Sequence, residues 1–82
     1  MNLKGKVAII TGGSGGLGKC ICNALAKQGV NLAILYNNHY EDAQVLSDEL
    51  NDNGCSTSTY KCDVTNPEQV SKTVENVTKD FK

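Results

Sequence analysis

The chain predicts an α/β fold: strands and helices alternate as βαβαβα to form one half of a doubly wound parallel sheet. Three observations carry this expectation. Short apolar runs alternate with segments whose apolar residues recur every three or four positions, the signatures of buried strands and amphipathic helices respectively. A glycine-dense stretch joins the first run to the first such segment, and Gly, Asn or Pro marks the breaks that follow. Alternating strands and helices call for a parallel sheet with right-handed crossovers. The 82 residues show no repeat, linker or second domain, so residues 1–82 read as part of a single domain.

Val7-Ala8-Ile9-Ile10 is a continuous apolar run ending at Thr11, the pattern of a strand buried on both faces. From Leu17, apolar positions at Leu17, Ile21, Ala24 and Leu25 predict a helix, with Gly29 as its stop. Leu32-Ala33-Ile34-Leu35 repeats the buried-strand signature, and Tyr36-Asn37-Asn38 breaks it with turn-favouring residues. Ala43, Val45, Leu46 and Leu50 mark a second helix. Glu41 and Asp42 complement its N-terminal dipole, and Asn53-Gly54 ends it. Thr57-Ser58-Thr59-Tyr60-Lys61-Cys62 is β-branched and aromatic but polar, which suits a strand at a sheet edge. Asn66-Pro67-Glu68-Gln69 reads as an N-cap, a first-turn proline and a capping-box Gln. Val70, Val74, Val77 and Phe81 then define a third helix expected to run to the last residue.

A strand order of 3-2-1 leaves the apolar first strand at an open edge unless a fourth strand pairs beside it. The expectation is therefore of a sheet cut short before its fourth strand, since an unpaired hydrophobic edge is an aggregation liability. The composition is that of an ordinary globular domain, with 39% hydrophobic residues and a net charge of −1. Near-neutral charge with no lysine cluster gives no electrostatic footprint for nucleic acid or an anionic membrane. All eight basic residues are lysines, so no planar guanidinium is present to grip a phosphate. The first apolar run is too short to span a bilayer and no small-residue cleavage pattern follows it, which predicts a cytoplasmic protein. Cys20 and Cys22 point different ways on a helix, and with Cys55, Cys62 and the lone His39 they match no common zinc spacing. Four reduced, structural thiols and no metal are expected.

Five of the eight glycines fall in Gly12-Gly13-Ser14-Gly15-Gly16-Leu17-Gly18. Glycines at a strand-to-helix turn permit positive φ and let backbone N–H groups approach a pyrophosphate at a helix N-terminus. The mechanism needs no cationic side chain. Gly13-x-Gly15-x-x-Gly18 fits the general dinucleotide pattern of a Rossmann fold, while Thr11-Gly12-x-x-x-Gly16-x-Gly18 fits a more particular one. A P-loop parse, Gly13-x-x-x-x-Gly18-Lys19-Cys20, departs at one residue, where Cys20 replaces the Ser or Thr whose hydroxyl should hold magnesium.

The stretch from Leu3 to Gly18 resembles the start of a short-chain dehydrogenase/reductase, whose own cofactor motif is Thr-Gly-x-x-x-Gly-x-Gly. Cys62-Asp63-Val64-Thr65 is similar to that family's Asp-Val element, whose Asp contacts the adenine ring. The match covers all 82 residues, and the single-domain reductases of the 3-oxoacyl-carrier-protein reductase type are the nearest subgroup. The resemblance implies an oxidoreductase that exchanges hydride between a nicotinamide dinucleotide and a carbonyl or alcohol. It implies a cofactor site at Gly12, Ser14, Gly15, Gly16, Leu17 and Gly18, at Tyr36, Asn37 and Asn38, and at Asp63 and Val64. It also implies a homo-oligomer.

An acidic residue ~20 positions beyond the loop would bind the ribose 2′-hydroxyl and repel a 2′-phosphate. Tyr36, Asn37 and Asn38 stand there instead, which favours NADP and leaves NAD possible. Gly15 stands where NADP-preferring relatives often carry Arg. The family's catalytic Ser, Tyr and Lys have no counterpart, because none of Tyr36, Tyr40 and Tyr60 is followed four residues later by Lys. The chain alone is expected to be inactive. It reads as the N-terminal part of an oxidoreductase, or alternatively as a non-catalytic nucleotide-binding module that pairs with another chain.

Overall fold

The computed structural model describes residues 3–12 and 16–81. The element order is β1 (Val7–Thr11), α1 (Gly16–Lys27), β2 (Asn31–Tyr36), α2 (Tyr40–Asp52), β3 (Thr57–Lys61) and α3 (Pro67–Asp80). The three strands form one parallel sheet in the order β1-β2-β3, with Val7 opposite Asn31 and Leu32 opposite Thr57. β2 is central and β3 lies at an edge, as its polar sequence predicts.

β2 supplies the core. Leu32, Ala33, Ile34 and Leu35 are all buried, and Leu32 and Ile34 point to one face, where they meet Cys22 of α1 and Ala43, Leu46 and Leu50 of α2. Side chains alternate across a strand, so Ala33 and Leu35 face the other way, toward the layer that holds α3. Buried Thr73 and Val77 make the inward line of that helix.

Both crossovers end on the same device. Gly29, at φ +79°, donates to the Ala26 carbonyl while Val30 N–H donates to the Leu25 carbonyl. Gly54, at φ +90°, donates to Asn51 while Cys55 N–H donates to Leu50. Each is a Schellman cap, in which a left-handed residue satisfies carbonyls the helix would otherwise leave open. Only glycine adopts that conformation without strain, so the predicted stops at Gly29 and Asn53-Gly54 follow directly.

Four expectations need correction. β1 is not buried on both faces: Val7 is 39% and Ile9 41% exposed, while Ala8 and Ile10 pack against the core cluster. Its outer edge is unpaired among the described residues, so an interior-type sequence stands at an open edge. The helical stripes are rotated from those read off the apolar residues. Ile21, Val45 and Val74 are exposed, while Cys22, Ser47 and Thr73 take the buried positions. Ser47 fits there because its hydroxyl donates to the Thr57 carbonyl at 3.3 Å, satisfying a polar group that burial would otherwise penalise.

Third, Gln69 does not close a capping box. The Asn66 side chain caps α3 by accepting from Glu68 N and Gln69 N, but Gln69 Oε1 accepts from Asp63 N at 2.9 Å instead. Fourth, α3 stops at Asp80, with Phe81 as its C-cap.

All four cysteines are free. Cys22 and Cys62 are buried, and burial, followed by the nearby Cys55, pushes the Cys22 thiol up. Cys55 Sγ donates to the Val30 carbonyl at 3.2 Å, whereas Cys20 is exposed and has no packing role to fill. Among the described residues no group of three or more His, Cys, Asp or Glu side chains is placed to hold a metal, and no helix is long and apolar enough to cross a membrane.

Candidate functional site

The carboxyl ends of parallel strands are where doubly wound folds bind ligands, because loops diverge there and leave a crevice. In this chain the ends of all three strands meet in one groove of about 280 Å³. It is lined by Thr11 and Gly12 after β1, by residues 35–39 around the end of β2, and by residues 62–65 after β3. The volume lies just below the usual range of ligand pockets, about 300–1,000 Å³.

Backbone hydrogen bonds fix the floor. Gly12 N–H donates to the Leu35 carbonyl at 3.3 Å, and Cys62 N–H donates to the Tyr36 carbonyl at 2.8 Å, so the sheet ladder continues one residue past β1 and β3. Gly12 sits at φ +64° with open space where a Cβ would project, a conformation that side-chain-bearing residues rarely adopt. The chain thus turns sharply off β1 and enters α1 at Gly16. The first turn of α1 carries no acidic residue, so its N-terminal partial positive charge is not neutralised from within.

The β2 wall carries Tyr36, Asn37 and Asn38, with no carboxylate among them. Tyr36 is half-buried, and its ring meets Tyr40 at 5.3 Å between centroids with a 55° tilt, a favourable edge-inclined pairing. That contact bridges the end of β2 to the first turn of α2 and so holds the intervening residues 37–39 against the groove.

The β3 wall is a turn built on Asp63. Its Oδ1 accepts from Thr65 N at 3.0 Å and from the Thr65 hydroxyl at 2.6 Å, while its own N–H is held by Gln69. The Thr65 hydroxyl, then the Thr65 backbone N–H, hold the Asp63 carboxyl below its ordinary range. A carboxylate already engaged on one oxygen keeps the other free as an acceptor, and Val64 beside it is 54% exposed.

Of the residues expected to bind a cofactor, the structure brings Gly12, Tyr36, Asn37, Asn38, Asp63 and Val64 to this one groove. Gly16, Leu17 and Gly18 form the first turn of α1. Ser14 and Gly15 lie outside the described residues. Sequence reasoning missed His39, which also lines the groove, and Gln69, whose side chain props Asp63. His39 had a signal, since it follows directly on the turn at the end of β2; Gln69 had none beyond the capping role it does not perform. The polar rim, the open glycine backbone and the acid-free helix start fit an adenine nucleotide. The groove offers acceptors and amides for binding and no paired acid and base for chemistry.

Comparison with known proteins agrees with this geometry. The family model described as short chain dehydrogenase matches residues 6–82. A sorbose reductase of Candida albicans is 43% identical over 82 residues, covering 98% of this chain and 28% of the relative. A probable NADP-dependent mannitol dehydrogenase of Yarrowia lipolytica is 44% identical, again over 98% of this chain and 28% of the relative. Among solved structures, a short chain dehydrogenase from Burkholderia cenocepacia in complex with NADP superposes with a TM-score of 0.90 at 33% identity, over 99% of this chain and 33% of that one. An NAD+-bound xylitol dehydrogenase superposes equally well, at 0.90 and 33%, over 99% of this chain and 31% of that one. The chain therefore spans less than a third of the length of the curated relatives it matches.

Proposed function

The chain belongs to the short-chain dehydrogenase family, and from that premise we propose that residues 1–82 form the N-terminal, dinucleotide-binding part of a single Rossmann domain in an oxidoreductase. The complete reaction is hydride transfer between a nicotinamide cofactor, NADP in preference to NAD, and a carbonyl or alcohol. The observation that carries this reading is the convergence of three strand ends, each with its own polar contribution, on one groove.

In this reading Gly12, Ser14, Gly15, Gly16, Leu17 and Gly18 cradle the pyrophosphate with backbone N–H groups and the α1 N-terminus. Tyr36, Asn37 and Asn38 hold the adenosine ribose, and Asp63 and Val64 hold the adenine. The hydride chemistry is supplied by the nicotinamide when bound. The residues of this chain bind and orient, because none of its tyrosines has a Lys four positions on to make it a useful acid at neutral pH.

The absence of a carboxylate at residues 36–38 supports NADP, and so does the similarity to an NADP-dependent mannitol dehydrogenase. Relatives named for sorbose and mannitol favour a polyhydroxylated ketose or alcohol as substrate. A 3-oxoacyl thioester is the narrower alternative, resting on the resemblance of the sequence to reductases of the 3-oxoacyl-carrier-protein type. A cytoplasmic, homo-oligomeric protein is the setting we propose. One observation favours a second reading, a non-catalytic module that pairs with another chain: the open β1 edge with Val7 and Ile9 exposed.

Calorimetric titration of the protein with NADP+ and NAD+ tests the cofactor assignment. Binding of NADP+ several-fold tighter than NAD+ is expected, with at least a tenfold loss of both in Gly12→Val, whose side chain is strained at positive φ; Gly12→Ala, with circular dichroism as the fold check, should fall between. Wild-type indifference to both dinucleotides would sink the proposal.

A further inference from the structure

Asn53 is the C-cap residue of α2, and it is the one asparagine of the chain followed by a residue with no side chain, Gly54. Both are exposed, and a Cβ placed on Gly54 would meet nothing within 4 Å. The bare neighbour matters because a backbone nitrogen can attack the side-chain amide of the residue before it and close a five-membered ring. A side chain on the attacking residue crowds that approach, and glycine removes it. The other asparagines are less open. Asn66 precedes Pro67, whose nitrogen has no proton to lose. The Asn51 amide grips the Thr57 backbone in both directions, at 2.8 and 3.0 Å. Asn37 and Asn38 are each followed by a residue that bears a side chain.

In the closed cap neither reacting group is aligned. Asn53 Nδ2 donates to the Glu49 carbonyl at 3.0 Å, and Gly54 N–H donates to the Asn51 carbonyl at 3.1 Å. At ψ 11° the Gly54 nitrogen lies on the side of the Asn53 nitrogen rather than beside its Cβ, so the ring closes only after the last turn opens. These bonds stand at an exposed helix end, where local opening costs least.

We propose that Asn53 is a site of spontaneous covalent modification, deamidation through a succinimide, paced by the opening of the α2 Schellman cap. The Gly54 nitrogen bonds to Asn53 Cγ and gives up its proton; the Cγ–Nδ2 bond breaks and ammonia leaves with that proton. Water then opens the ring at either carbonyl, to aspartate or to isoaspartate, whose main chain runs through the side-chain methylene. The sum is amide plus water to acid plus ammonia, with no oxidant or reductant. The new carboxylate cannot donate to the Glu49 carbonyl. It also stands at the negative end of a helix with Asp52 beside it and no basic residue in its last turn. In isoaspartate the lengthened main chain carries Gly54 and Cys55 out of register with the Asn51 and Leu50 carbonyls they now meet. The cap is lost, while the groove at the carboxyl ends of the strands lies away from the change, since Asn53 and Gly54 precede β3.

Incubation of the full chain at mildly alkaline pH, followed by peptide mapping with mass spectrometry, reads this directly. The mass gain of amide-to-acid conversion should appear at Asn53 before any other asparagine, and isoelectric focusing should show a band whose net charge has moved from −1 to −2. An isoaspartyl methyltransferase should label the aged protein, which should melt at a lower temperature than the fresh one. In unfolding urea at the same pH, conversion should run roughly tenfold faster, the weight of one C-terminal cap. Asn53→Gln should give neither the acidic band nor the label. Conversion at Asn37 or Asn38 ahead of Asn53, a rate that urea does not raise, or an Asn53 amide that survives the incubation would each overturn the inference.

Discussion

The Tyr60 hydroxyl donates to Asp80 Oδ2 across 2.6 Å, tying the C-terminal end of the edge strand β3 to the last turn of α3. Burial, then the Asp80 carboxylate, raise the Tyr60 phenol from its ordinary 10 to about 12. The folded state therefore holds this proton more tightly than the unfolded chain. The stabilisation is complete below pH 10 and is lost as pH rises toward about 12. Tyr60→Phe should cost about 0.5–1 kcal/mol at neutral pH and lose part of the alkaline fall in stability. Urea unfolding at several pH values between neutral and alkaline checks both; an alkaline limb identical to wild type would contradict the assignment.

The two Schellman glycines separate conformational strain from crowding. At Gly54 an added Cβ meets nothing within 4 Å, so Gly54→Ala should cost only the left-handed penalty of roughly 1–2 kcal/mol. At Gly29 the Cβ would meet Lys4 Cγ at 3.1 Å and Lys4 Cα at 3.4 Å. Gly29→Ala should therefore be the more damaging of the pair, by up to about 1 kcal/mol if the flexible Lys4 stem does not yield fully. Thermal unfolding compares them, and equal melting temperatures would show that Lys4 moves aside freely.

Asp63 is held below its ordinary 3.8 by Thr65. Its depressed folded-state titration contributes stability above that pH, which is lost as pH falls below it. Asp63→Asn keeps an acceptor oxygen for Thr65 and should preserve the turn while removing this share of the acid loss. Asp63→Ala removes the acceptor as well and should loosen residues 63–65. Hydrogen exchange at Thr65 N–H distinguishes them: fast exchange in the alanine variant and near-native protection in the asparagine variant.

The sequence is legible where one residue type has one physical use. Gly29 and Gly54 end helices because positive φ is costly for anything else, and Asn66-Pro67 starts one because an amide acceptor precedes a residue with no N–H to satisfy. The buried run of β2 and the polar run of β3 place those strands correctly, and Gly12 at the end of β1 lines the groove. Legibility fails where a residue has several uses. Ser47 and Thr73 are buried because partners for their hydroxyls or packing against the sheet exist only in three dimensions, while Ile21, Val45 and Val74 are apolar and outside. The same holds for Gln69, which could cap α3 or hold Asp63, and does the latter. In β1 the run Val7 to Ile10 reports the environment of an interior strand, whereas the described residues cover only one of its faces.

The equal spacing of the strand pairs bears on how the molecule assembles in time. Val7 meets Asn31 and Leu32 meets Thr57, so both pairings close chain segments of about 25 residues. Closure entropy grows only with the logarithm of length, and neither pairing is favoured by proximity along the chain. Every route to the sheet then passes through β2, the one strand common to both, whose Leu32 and Ile34 also gather the two helices. Truncating Ile34 to Val should slow refolding, while Val77→Ala on α3 should mainly hasten unfolding. Stopped-flow chevrons measure each limb, and a refolding limb untouched by the β2 change would mean that the helices, not the central strand, commit the chain.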